Sequence, residues 1–119
     1  LSFGHIARRI AELLAPLGMN LVAVRRRVVG DEPIRVLPES EVAKVAFVQG
    51  DVTDLNALNT ALKQYQITHV IHLAGLQVPT CRADPLLGAK VNVLGTLAVF
   101  EAVKATGAQV KRLVYASSA

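Results

Sequence analysis

The sequence has a single cysteine, Cys81, among its 119 residues. A lone thiol excludes an internal disulfide and a cysteine-based metal cluster, and it suits a reducing compartment. We therefore expect an ordinary half-buried thiol in a cytoplasmic protein. Aromatic residues are scarce as well, three Phe and two Tyr. A surface for single-stranded nucleic acid interleaves aromatics with a long basic stripe. Thirteen basic against nine acidic residues, net charge +4, leave no such stripe here. The densest cluster, Arg25, Arg26 and Arg27, reads as a solvated turn as readily as a ligand contact. No nucleic-acid partner is expected. Charges or prolines interrupt every apolar run before the roughly 18 residues of a membrane span, and no signal-peptide pattern opens the chain. No membrane partner is expected either. Hairpin dipeptides such as Asn-Gly are missing between the apolar runs, which argues against antiparallel neighbours.

What is present is a core. Hydrophobic residues make up 52% of the chain, enough for one domain at this length. From His5 to Leu17, Ile6, Ile10, Leu13, Leu14 and Leu17 recur at helical spacing, with Arg8, Arg9 and Glu12 on the other face and Gly18 as a stop. "NLVAV", residues 20 to 24, is a continuous apolar run suited to a buried parallel strand. Residues 26 to 44, with Gly30, Pro33 and Pro38, predict a loop. "KVAFVQGDVTD" supplies a second strand, and Asp54 can cap a helix with Leu55, Leu58, Ala61, Leu62 and Tyr65 on one face. "THVIHLAG" predicts a strand over residues 68 to 73. A loop containing Pro79 and Pro85 should follow, then one long helix from about Leu86 to Thr106 closed by Gly107, then a strand in "KRLVYASS".

Strands alternating with helices imply right-handed crossovers and a parallel sheet covered on both faces. The fold class is α/β, a Rossmann-like doubly wound parallel sheet in one partial domain over residues 1–119. Such a unit opens with a strand feeding a glycine-rich turn, whereas this chain opens almost at the turn. The first strand is expected to be missing or reduced to Leu1, and a substrate lobe at the C-terminus to be absent. Two neighbours of that central strand would then carry open edges, which favours a homo-oligomer.

Within "SFGHIA", Gly4 occupies one glycine position of the G-x-G-x-x-G fingerprint, and Ser2 and Ala7 fill the others with small residues. Gly4 either lets a pyrophosphate approach backbone N–H groups at a helix N-terminus or simply starts the helix. The end of the second strand of such a fold reads the ribose, an acid for a 2′-hydroxyl and an arginine for a 2′-phosphate. Arg25 or Arg26 stands there and no acid does, so NADP is favoured over NAD. Asp51 lies at the carboxyl end of a strand, where open α/β sheets bind ligands, and could accept a hydrogen bond from an exocyclic amine. Its alternative is a turn or cap residue, although Asp54 fills the cap better. His69 and His72 are three apart in a strand, point to opposite faces and make a poor metal pair. Each reads as packing or a local hydrogen bond, and no metal site is expected.

Four segments in order, "FVQGDVTD", "HVIHLAG", "VNVLGTLAVFEAVKATG" and "VKRLVYASSA", resemble the extended short-chain dehydrogenase/reductase family of NAD(P)-dependent epimerases and dehydratases over residues 45–119. The resemblance implies that Asp51 and Val52 flank the adenine and that Leu73, Ala74 and Gly75 line the diphosphate and ribose. It implies that Asn92, in "NVxGT", steadies the active site, and that Ser118, with Ser117 beside it, orients the reacting oxygen of the substrate. In that family a Tyr-x-x-x-Lys pair transfers the proton. Tyr115 has no Lys four residues on, and a phenol needs a nearby cation to act as a base near neutral pH. The chain contains no such pair.

Residues 1–40 look more like the cofactor-binding segment of D-2-hydroxyacid dehydrogenases, G-x-G-x-I-G followed by a helix, "GM", a strand and arginines or an acid. A divergent short-chain member and a junction near residues 38 to 45 both account for this, and the junction is slightly preferred. The function implied is the dinucleotide-binding part of an epimerase, dehydratase or reductase acting on a sugar nucleotide or similar alcohol or carbonyl, inactive alone. The alternatives are a non-catalytic nucleotide-binding module and a chimeric Rossmann fragment without function of its own.

Overall fold

The computed structural model describes residues 5–25 and 45–117. The chain folds as two compact units, Leu1–Gln49 and Gly50–Ala119.

In the first unit, helix α1 spans His5–Leu14 and tightens into a 3₁₀ turn, Ala15–Leu17. Gly18 ends it in the left-handed region, φ +69°, where a residue without Cβ meets no steric cost. Strand β1, Leu21–Arg25, pairs in parallel with β2, Val45–Gln49, with Leu21 opposite Val45 and Arg25 opposite Gln49. The predicted helix and both predicted strands are therefore present. Parallel partners need a long crossover; the loop predicted for residues 26–44 lies outside the described residues.

The second unit begins with the Asp54 cap, whose Oδ1 accepts from the Ala57 N–H at 3.0 Å and starts helix α2, Leu55–Gln64. A left-handed Gln66, φ +49°, ends that helix where glycine is usual, and its side-chain amide donates to the Lys63 carbonyl at 2.8 Å. Strand β3, His69–His72, then pairs in parallel with β4, Arg112–Tyr115, from His69 opposite Arg112 to His72 opposite Tyr115. The Gln109 amide ties the approach to β4 onto the end of α2 and the turn before β3, donating to the Leu62 and Ile67 carbonyls at 2.8 and 3.0 Å.

The segment between β3 and β4 departs from expectation. Pro79 and Pro85 do not sit in a loop: Pro79 lies in the first turn of helix α3, Val78–Ala83, and Pro85 opens helix α4, Pro85–Ala89. A first-turn proline lacks only an N–H that the helix leaves unused, and Asp84 caps α4 by accepting from the Leu87 N–H at 3.0 Å. The single long helix is interrupted as well. Its middle, Lys90–Leu94, is a π turn, and helix α5 runs from Gly95 to Ala105.

Helix α5 packs on α2; Gly95, Val99 and Ala102, spaced four and three along one face of α5, are buried, as is Ala61 on α2. The strands are less covered than predicted. Val70, His72 and Leu113 turn inward, whereas Ile71 and Val114, partners in register on the opposite face, are 41% and 50% exposed. The run Pro85–Ala105 is 21 residues long and apolar enough to cross a membrane by length and composition. This differs from the expectation that charges interrupt every such run, although Lys90, Glu101 and Lys104 do stand within it.

Candidate functional site

Two turns meet one helical segment in the second unit. The first follows β2. Asp51 Oδ1 accepts from the Thr53 N–H at 2.9 Å and from its hydroxyl at 2.8 Å, and the Asp54 N–H donates to the Asp51 carbonyl at 3.0 Å. This is a side-chain-stabilised turn, and it holds Val52 over the start of α5. A Cβ at Gly95 would stand 2.7 Å from Val52 Cγ1, so glycine there is what permits the close approach.

The second turn, Leu73 to Leu76, follows β3. Asn92, in the middle of the π turn, grips it on both sides of one residue. Its Oδ1 accepts from the Leu76 N–H at 2.6 Å and its Nδ2 donates to the Leu76 carbonyl at 3.0 Å, which fixes the orientation of the amide. Nδ2 also lies 3.5 Å from Cys81 Sγ, and that thiol donates to the same carbonyl at 3.5 Å. Gly88 makes room for Cys81, since a Cβ there would meet its Cβ and Sγ at 3.1 Å.

Beneath both turns lies a buried pair. His72 Nε2 is 3.0 Å from Thr96 Oγ1, and the Thr96 hydroxyl donates to the Asn92 backbone carbonyl at 2.7 Å. With its proton given to Asn92, the hydroxyl oxygen accepts, so His72 carries its proton on Nε2. Burial disfavours the charged imidazolium and pushes the His72 pKa below 6.5. The ring stacks on Tyr115, centroids 5.5 Å apart, and Phe100 meets Tyr115 edge-on at 6.0 Å.

Of the residues singled out in the sequence, Val52 reaches this segment at Gly95, Asp51 holds the turn that carries Val52, and Gly75 reaches it through Asn92, whose Oδ1 would stand 3.5 Å from a Cβ on Gly75. Leu73 and Ala74 open the loop that Asn92 pins, Leu73 exposed and Ala74 half-buried. Arg25 closes β1 in the other unit. Gly4, Arg26 and Ser118 lie outside the described residues, and Ser117 is exposed beyond β4. Of the two readings of His72, packing holds, since the ring is buried and stacked on Tyr115, while its hydrogen-bond partner is 24 residues away and not local. His69 does bond locally, Nδ1 to the Thr68 hydroxyl at 3.0 Å. Thr96 went unnoticed, although a Thr four residues after an Asn, opposite an inward strand histidine, was the available signal. Among the described residues no group of three or more His, Cys, Asp or Glu could hold a metal ion.

Comparison with known proteins places this arrangement. The model of the NAD dependent epimerase/dehydratase family matches residues 2–119. Human UDP-glucose 4-epimerase is 39% identical over 89 residues, 74% of this chain and 25% of that protein. UDP-glucuronate 4-epimerase of Thermodesulfobacterium geofontis is 32% identical over 97% of this chain and 36% of its own length. The solved UDP-glucose 4-epimerase of Thermus thermophilus, a complex with NAD, superposes with a TM-score of 0.78 at 29% identity, covering 97% of this chain and 35% of that one. The chain thus spans between a quarter and about a third of these relatives. The family match runs unbroken through residues 38 to 45, so the N-terminal segment that looked like another family falls within the same match. This chain belongs to the NAD dependent epimerase/dehydratase family.

Proposed function

We propose that this chain is the dinucleotide-binding part of an epimerase, dehydratase or reductase that acts on a sugar nucleotide or a similar alcohol or carbonyl, and that it binds cofactor without turning over substrate alone. The observation that carries the reading is the convergence of two strand-end turns, Asp51–Thr53 and Leu73–Leu76, on the segment Asn92–Thr96. Asp51 would accept from the adenine amine with Val52 beside it. The backbone of Leu73, Ala74 and Gly75 would line the diphosphate and ribose, with Asn92 holding that loop. Gly4 would allow the pyrophosphate to approach the start of α1. Ser118 would orient the substrate's reacting oxygen. Neither tyrosine, Tyr65 or Tyr115, is followed by a lysine four residues on, so the proton-transfer pair of the family is not supplied by this chain.

Arg25 at the carboxyl end of β1, with Arg26 next to it, favours NADP, because a guanidinium pairs with a 2′-phosphate. Titration with NADPH and with NADH, read by nicotinamide fluorescence, should show binding of both with NADPH tighter. Arg25→Glu should shift the ratio towards NADH by about tenfold, the range of one charge-assisted contact. Binding of neither at millimolar concentration would overturn the functional reading, and an unchanged ratio in the variant would overturn the role of Arg25.

A further inference from the structure

The π turn needs an explanation, because a helix left to itself keeps i to i−4 bonds and π turns are rare. At Lys90–Leu94 the ladder slips by one residue, seen where the Gly95 N–H donates to the Lys90 carbonyl. Slippage changes the donors available to the carbonyls inside the turn, and one of these carbonyls, on Asn92, takes the Thr96 hydroxyl at 2.7 Å. That hydroxyl is not free to rotate, since His72 Nε2 lies 3.0 Å from its oxygen. His72 is 4% exposed and Thr96 9%, so neither bond has water as a ready substitute. The same turn carries the Asn92 carboxamide that holds Leu76.

We propose that His72 and Thr96 are positioning residues: the relay from the imidazole through the Thr96 hydroxyl to the Asn92 carbonyl holds the π turn in the register that aims the Asn92 carboxamide at Leu76. The Leu73–Leu76 loop is thereby set in place before any ligand arrives. This rests on the reading of that loop as the dinucleotide's seat for its functional meaning, though not for its structural claim.

The test compares Thr96→Val, which keeps shape and removes the hydroxyl, with Thr96→Ser, which restores it. Amide hydrogen exchange on the full chain is followed at Leu76, held by Asn92, and at Leu58, held by the Asp54 carbonyl in α2. In Thr96→Val, Leu76 should exchange about tenfold faster with Leu58 unchanged, and NADPH should bind about tenfold more weakly, the scale of one lost buried hydrogen bond. Thr96→Ser should return both to wild type. Equal acceleration of both amides, or an unchanged Leu76, would overturn the proposal. If the valine variant does not fold, His72→Phe keeps the stack on Tyr115, removes the donor and is read against the same two outcomes. A wild-type chain that binds no dinucleotide, yet whose Leu76 responds selectively, would overturn the functional reading and leave the relay standing.

Discussion

At the scale of single residues, His72 links protonation to stability with a definite sign. Its pKa in the folded chain lies below 6.5 because burial penalises the imidazolium. Between that lowered value and 6.5 the unfolded chain binds more protons than the folded one, so stability rises with pH across this window. The contribution is complete above about pH 6.5, the unperturbed value, and is lost as pH falls through the folded pKa. Thermal melting followed from pH 8 to pH 5 should hold steady above neutrality and decline below 6.5. His72→Phe should flatten that decline; an equal decline in the variant would show that other groups titrate. Asp51 could be singled out from its place after a strand, where the structure gives it a turn-stabilising role, and Asn92 only through the resemblance of its motif to a family pattern. The role of His72 was not legible, because its partner Thr96 comes close only through the fold.

Individual elements show where local signals mislead and where they suffice. Helix α1, the strands and the Asp54 cap could be read from periodicity and a capping residue. Pro79 and Pro85 were read as breakers, although at first-turn positions a proline starts a helix. The π turn was hidden, since its register depends on contacts from β3. Gly95 offers a quantitative check. Replacing it with alanine gains about 1 kcal/mol of helix propensity, while forcing a methyl against Val52 Cγ1 at 2.7 Å costs about 1–3 kcal/mol by overpacking. The clash should win because Val52 is branched at Cβ and cannot easily swing aside. Gly95→Ala should lower unfolding stability by up to about 2 kcal/mol, the difference of those two ranges. Adding Val52→Ala should relieve the clash and show as coupling in a double-mutant cycle by chemical denaturation. Additive effects would mean that the turn moves away without cost.

For the molecule as a whole, the strand pairing carries an argument about association. The described strands form two parallel pairs, β1 with β2 and β3 with β4. A two-stranded sheet is marginal by itself, and edges with no partner among the described residues are templates for another strand. The β3–β4 pair adds a face on which Ile71 and Val114 stand side by side and exposed. Burying each of these side chains is worth about 1.5–3 kcal/mol, enough for association in the micromolar range once the entropic cost of joining is offset by several such contacts. Sedimentation velocity should accordingly show a concentration-dependent rise above the monomer mass. Val114→Lys places a charge on the apolar face without touching the π turn or the Asn92 clamp, and should weaken self-association by about tenfold or more, the equivalent of removing one such burial. Nicotinamide fluorescence on the same variant should be unchanged, because the seat proposed for the dinucleotide lies in the turns beyond the strand ends. A chain that stays monomeric at every concentration would show that this face and these edges are satisfied within one copy.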